Sequence, residues 1–106
     1  MARATLTAHH LNPELRAGMN IRFDRQLLAH LKNLGVPVFS FDRSKEPQGV
    51  KTMEWGIKAA LKKTAAAPVA VYDVGAPGKE AMIRIFGRST KELEALVFQL
   101  LNRLSL

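Results

Sequence analysis

The sequence has 106 residues, 47% of them hydrophobic, a formal net charge of +7 and no cysteine. That is one domain's length with a modest core, so 1–106 is read as a single domain, and the missing cysteines exclude a disulfide framework and thiolate chemistry. The longest apolar run, Ala65–Tyr72, contains Pro68 and falls far below the ~18 residues of a membrane span, while the first residues lack the apolar stretch of a secretory signal.

A cytoplasmic protein is therefore the default expectation. In chain order, residues 1–11 suit the tail of a helix that Asn12-Pro13 ends. Gly18 to Phe23 alternates apolar and polar residues, as a half-buried strand does. Asp24 can then cap a helix whose Leu27, Leu28, Leu31 and Leu34 recur at helical spacing, with Gly35 as its stop. Val36 to Phe41, dense in β-branched and aromatic residues, reads as the next strand, and a polar loop, Asp42–Lys51, follows.

Thr52 can cap a second helix with Met53, Ile57, Ala60 and Leu61 on its apolar side and Glu54, Lys58 and Lys62 facing water. Ala65–Pro68 is a loop, and Val69-Ala70-Val71-Tyr72 is continuously apolar, like a strand buried on both faces. After Asp73–Glu80, Met82–Phe86 forms a fourth strand; the connection is too short for a crossover helix, so the two should pair antiparallel. Ser89-Thr90-Lys91-Glu92 is a capping box leading into a leucine-rich stripe, Leu93 to Leu104. The pattern β-α-β-α-β-β-α predicts an α/β layered domain with a mixed four-stranded sheet flanked by helices.

Three polar segments fall at or beside the carboxyl ends of strands, where such sheets bind ligands. In Asp73–Glu80, Gly75 and Gly78 can take positive φ and let N–H groups converge on an anion beside Lys79; a plain tight hairpin is the other reading. Asp42-Arg43-Ser44-Lys45-Glu46-Pro47 sets two acids among two cations, either a phosphate grip, with an acid orienting it or holding a metal, or a surface salt-bridge cluster. Asn20 and Arg22 share one strand face, for ligand contact or for a buried polar network.

Trp55 and Tyr72 read as core side chains, with stacking platforms the alternative. His9, His10 and His30 have no partners at metal-ligand spacing, so no metal-histidine site is expected, and no Ser-His-Asp arrangement supports nucleophilic catalysis. The cations are spread over several elements, with only Lys62-Lys63 as a doublet, which favours a solvated basic surface over a nucleic-acid site.

Taken together, the ordered set Leu6-Thr7-Ala8, Arg16-Ala17-Gly18-Met19-Asn20-Ile21-Arg22, Phe41-Asp42-Arg43 with Glu46-Pro47, Trp55-Gly56 and Tyr72 through Glu80 resembles the archaeal-type thiamine-phosphate synthase domain (ThiN), over Arg3 to Leu104. That domain occurs fused to a hydroxymethylpyrimidine phosphate kinase and, in some regulators, to a DNA-binding domain. Family enzymes join a hydroxymethylpyrimidine diphosphate to a thiazole phosphate, releasing diphosphate and leaving thiamine monophosphate. A diphosphate leaving group asks for cations and N–H donors more than for a nucleophile. The resemblance implies that Asn20 and Arg22 face the ligand and that Arg43 and Lys79 hold phosphate. It implies further that Asp42, Glu46, Asp73 and Glu80 orient those cations or bind the polar edges of the ligand. The cofactor is left unknown, with Mg²⁺ a candidate.

The match is to the second half of a longer family domain, whose first half carries a Gly-rich segment and a Ser/His-bearing motif tied to catalysis. Two readings therefore stand: a synthase domain, or a binding and sensing module that holds thiamine phosphates without making them. A half-domain is also expected to leave one side of its sheet uncovered and to self-associate as a homo-oligomer through that edge or face. No helix-turn-helix is evident, and a basic nucleic-acid protein is the least favoured reading.

Overall fold

The computed structural model describes residues 2–43, 52–62 and 64–104, with only the backbone of Thr52, Met53 and Glu54. Ser44, Lys45, Glu46, Pro47 and Lys63, and the side chains expected to cap and pattern the start of the second helix of the sequence reading, lie outside the described residues. The elements are α1 (Ala2–Leu11), β1 (Ala17–Arg22), α2 (Arg25–Asn33), β2 (Val38–Ser40), α3 (Thr52–Leu61), β3 (Val69–Asp73), β4 (Met82–Gly87) and α4 (Thr90–Leu104).

The helix ends follow the expected chemistry. The Asp24 carboxylate accepts the N–H groups of Gln26 and Leu27 at 2.7 and 3.2 Å, so two otherwise orphaned donors of α2 are satisfied. At the other end Gly35, at φ 84°, donates to Lys32 while Val36 donates to Leu31, the paired bonds of a Schellman stop. This also explains why β2 is shorter than the expected 36–41. The Val36 N–H belongs to the helix end and Pro37 has none to give, so the strand begins at Val38. At α4, Ser89 Oγ accepts the Glu92 N–H at 3.1 Å. The Glu92 carboxylate reaches back one residue further than a capping box requires, to the N–H of Arg88 at 2.8 Å.

The sheet runs β1-β4-β3-β2, with β2 and β3 parallel and β4 antiparallel to both β1 and β3. Consequently the carboxyl ends of β1, β2 and β3 and the amino end of β4 all lie at one end of the sheet. Each face has its own core. On one, Ala4, Ala8, Leu15, Ile57 and Leu61 from the α1 and α3 side pack on Val69, Val71 and Phe86. On the other, Leu28, Leu31, Leu93, Leu96 and Leu100 of α2 and α4 pack on Ala70, Ile83 and Ile85. Each fully buried Leu, Ile or Phe contributes about 1.5–3 kcal/mol.

This corrects the expectation of an uncovered sheet side. Residues 2–11 form a full helix that lies against α3 and completes the second layer, so each face carries helices, while β1 stays an edge strand. The large apolar side chains that remain exposed are Leu6 and Leu11 on α1, Val74, and a row on α4 of Phe98, Leu101 and Leu104 at helical spacing. No helix among the described residues is long and apolar enough to cross a membrane.

Candidate functional site

Strand register assembles a polar surface that no single segment contains. Arg22 stands opposite Met82, which stands opposite Asp73; in the next row Asn20 faces Arg84, then Val71, then Phe39. Cross-strand partners share a face, so these two rows lie on the α1/α3 side, at the carboxyl end of the sheet. Strands are ~4.8 Å apart, which sets the Arg22 backbone about 10 Å from that of Asp73.

Asp73 is the hub. Its carboxylate is fully buried and accepts from Arg84 Nη1 at 2.7 Å and from the Gly75 N–H at 2.8 Å. A second guanidinium, that of Arg43 in the segment after β2, places Nε 3.8 Å from the other carboxylate contact oxygen, Oδ1. That separation is an ion pair but too long for a hydrogen bond. Arg43 Nε is buried and, among the described residues, has no hydrogen-bond acceptor. An unsatisfied buried donor costs about 1–3 kcal/mol. Arg84 is 2% exposed, and its guanidinium also lies 5.6 Å from the centre of the Phe41 ring.

Next to this hub is a cleft of about 540 Å³ lined by Ser40, Phe41, Asp42, Trp55, Ala59, Tyr72, Asp73 and Val74. Gly56 shapes it: a Cβ there would come within 2.5 Å of the Phe41 ring, so only glycine lets α3 approach this closely. Phe41 and Trp55 then meet edge to face, 6.0 Å apart at 87°. A larger groove of about 740 Å³ runs between α1 and β1, with mostly apolar walls and Thr5, His9, Arg16 and Thr90 among its lining. Among the described residues Arg16 is the one lysine or arginine in its lining, and none of Arg22, Arg43, Asp73 and Arg84 is in it. His9 within it already donates from Nδ1 to the Leu15 carbonyl at 3.1 Å.

The sequence-derived candidates are therefore unevenly served. Asp42, Arg43 and Asp73 come together at the cleft and hub. Asn20 and Arg22 share a face as expected, but β1 is an edge strand. Asn20 is exposed and the Arg22 side chain is 88% exposed, which removes the buried-network alternative. Glu80 pairs loosely with Arg22 at 3.8 Å. Gly75 and Gly78 do adopt positive φ, 81° and 74°. They close a hairpin in which Ala76 and Lys79 exchange N–H···O bonds, and with the Gly75 N–H on Asp73 these donors stay inside the loop. The glycines thus shape the loop that presents exposed Lys79. Glu46 lies outside the described residues.

Sequence reasoning passed over Arg84 as a site residue. The available signal was a lone cation within Met82-Ile83-Arg84-Ile85-Phe86, where every neighbour is apolar and a buried charge needs a partner. It also placed Trp55 and Tyr72 in the core, whereas both are half-buried and line the cleft as well.

Comparison with known proteins decides the family. The sequence profile of Thiamine-phosphate synthase ThiN matches residues 1–98. The chain belongs to the ThiN family. A bifunctional thiamine biosynthesis protein ThiDN from Methanocaldococcus jannaschii is 47% identical over 93 residues, 88% of this chain and 22% of that protein. A thiamine-phosphate synthase ThiN from Methanothermobacter thermautotrophicus is 34% identical over 108 residues, 97% of this chain and 57% of that protein. Among solved structures, the C-terminal domain of a phosphomethylpyrimidine kinase superimposes with a TM-score of 0.82 at 35% identity, covering 93% of this chain and 59% of the other. This ThiN-family chain thus spans little more than half of the ThiN relative and under a quarter of the bifunctional one.

Proposed function

We propose that this ThiN-family domain binds thiamine monophosphate, or the pyrimidine diphosphate and thiazole phosphate from which it is made, at the carboxyl end of its sheet. The observation that carries the reading is the buried Arg43 Nε without an acceptor among the described residues, beside a carboxylate that already serves Arg84. A phosphate oxygen supplies the acceptor that Nε lacks. Arg22 and Lys79, exposed on β1 and on the β3–β4 hairpin, add charge at the same end of the sheet. Family membership supports the identity of the ligand.

In the synthase reaction, cations around a departing diphosphate stabilise charge that grows as the bond to the pyrimidine methylene breaks, and no protein nucleophile is required. Asp73 is a positioning group: it holds Arg84 and Arg43 so that their donors are preset before ligand arrives.

Titration calorimetry with thiamine monophosphate tests the reading. Saturable heat in the wild type, reduced about tenfold or more in affinity by Arg43→Gln, is the expected result for loss of a charged hydrogen bond. No heat at millimolar ligand refutes it. Supplying both precursors with Mg²⁺ and following thiamine monophosphate separates a synthase from a module that binds without turnover.

A further inference from the structure

We infer that Trp55 forms the stacking wall for the ligand's heteroaromatic ring, so that the cleft selects a cationic or N–H-rich ring while the arginines beside it select phosphate. The inference rests on the binding reading above and assigns its second half.

The cleft and the cation cluster differ in chemistry. Among the described residues the cleft lining includes three aromatic and two acidic residues but neither lysine nor arginine. A phosphate gains nothing from such walls. A positively charged azole or an aminopyrimidine gains twice: from the negative faces of the rings and from carboxylates that accept ring N–H groups or face the ring's charge. Asp42 is exposed at the lining, where a bound ring can reach it, whereas Asp73 is buried.

Of the three rings, only Trp55 suits the role of platform. Phe41 is buried and lies against Arg84, Gly56 and Trp55. Tyr72 packs into the core of the α2/α4 face and against Phe23, with ring centres 5.7 Å apart. Trp55 is half-buried, and one edge-to-face contact with Phe41 engages at most one face of an indole. Indole also binds cations best of the aromatic side chains. Gly56 presses α3 onto Phe41, and Trp55, partly buried against the core of that face, lines the cleft beside it. Val74, 63% exposed beside it, gives the rim an apolar side chain for a ring to slide past.

The chain holds a single tryptophan, so its fluorescence reports this position alone. The test titrates the full chain with thiamine monophosphate and, separately, with inorganic diphosphate, reading Trp emission and calorimetric heat in parallel. We expect thiamine monophosphate to quench Trp emission with the same Kd as the heat, and diphosphate to bind without quenching. Trp55→Ala should weaken thiamine monophosphate about five- to thirtyfold, and Trp55→Phe by less than about threefold. Neither should change the affinity for diphosphate. Heat without quenching, Trp55→Ala binding as tightly as wild type, or equal loss of both ligands would overturn the assignment while leaving the binding reading in place. Absence of any heat would remove both.

Discussion

The Asp73 carboxylate offers the sharpest test of how the site is built. Asp73→Asn keeps the shape and one oxygen but removes the charge that balances Arg84, which is 2% exposed and 2.7 Å away. A charged hydrogen bond is worth about 1.5–3 kcal/mol, and breaking a buried pair costs about 3–5 kcal/mol because the remaining charge is stranded. Asparagine can still accept the Gly75 N–H, so a loss of about 2–4 kcal/mol is expected. Against a stability of about 5–15 kcal/mol the variant still folds. With a urea slope of about 1–3 kcal/mol per molar, the unfolding midpoint should fall by about 1–3 M, measured by far-ultraviolet circular dichroism at neutral pH. Arg84→Met alone should cost less, because Asp73 keeps Arg43 at 3.8 Å and the Gly75 N–H. The double variant should be less destabilised than the sum by about 1–3 kcal/mol, since the Arg84 charge is no longer left facing a neutral side chain and only Arg43 is. Strict additivity, or an Asp73→Asn midpoint equal to wild type, would refute the account of Asp73 as the hub.

Gly75→Ala should destabilise more than Gly78→Ala. Both place a side chain at positive φ, costing about 1–2 kcal/mol, but only at Gly75 would the new Cβ meet backbone, 2.6 Å from the Lys79 carbonyl oxygen; thermal unfolding of the two variants compares them directly. Gly56→Ala forces a Cβ into the Phe41 ring and should cost about 1–3 kcal/mol while altering Trp55 emission even without ligand. Glu92→Ala removes the acceptor of the Arg88 N–H at the start of α4 and should lower stability by about 0.5–2 kcal/mol in urea melts, with thiamine monophosphate binding unchanged.

Local chemistry is legible in a one-dimensional string, and that is where reading the residues succeeded. Asp24, Gly35 and Ser89 announce helix ends because a cap bonds to groups two or three residues away. Val69–Tyr72 announces a doubly buried strand by composition, and its short link to Met82 announces the antiparallel pair. The resemblance to the family also rested on the string, on ordered motifs, and the profile match over 1–98 bears it out. The candidate site was only partly readable in the same way. Asp42, Arg43 and Asp73 stand at strand ends, and a strand end is a local property.

Long-range register decided the rest. Arg84 acquires its meaning from Asp73, eleven residues away, and from a position opposite Asn20 that only the β1–β4 pairing creates. Gly75 and Gly78 showed their permissive backbone in the sequence, yet which N–H groups they aim, and at what, depends on the Asp73 carboxylate and on the hairpin closing at Ala76 and Lys79. Trp55 both packs against the α1/α3-side core and lines the cleft, a double position that only the approach of α3 to Phe41 creates. The sequence alone thus determined the elements, the ends of α2 and α4 and the family, because those depend on neighbours along the chain. Only the tertiary structure determined which charges share a carboxylate, which face is covered and which ring meets the cleft, because each depends on distances between residues far apart in sequence.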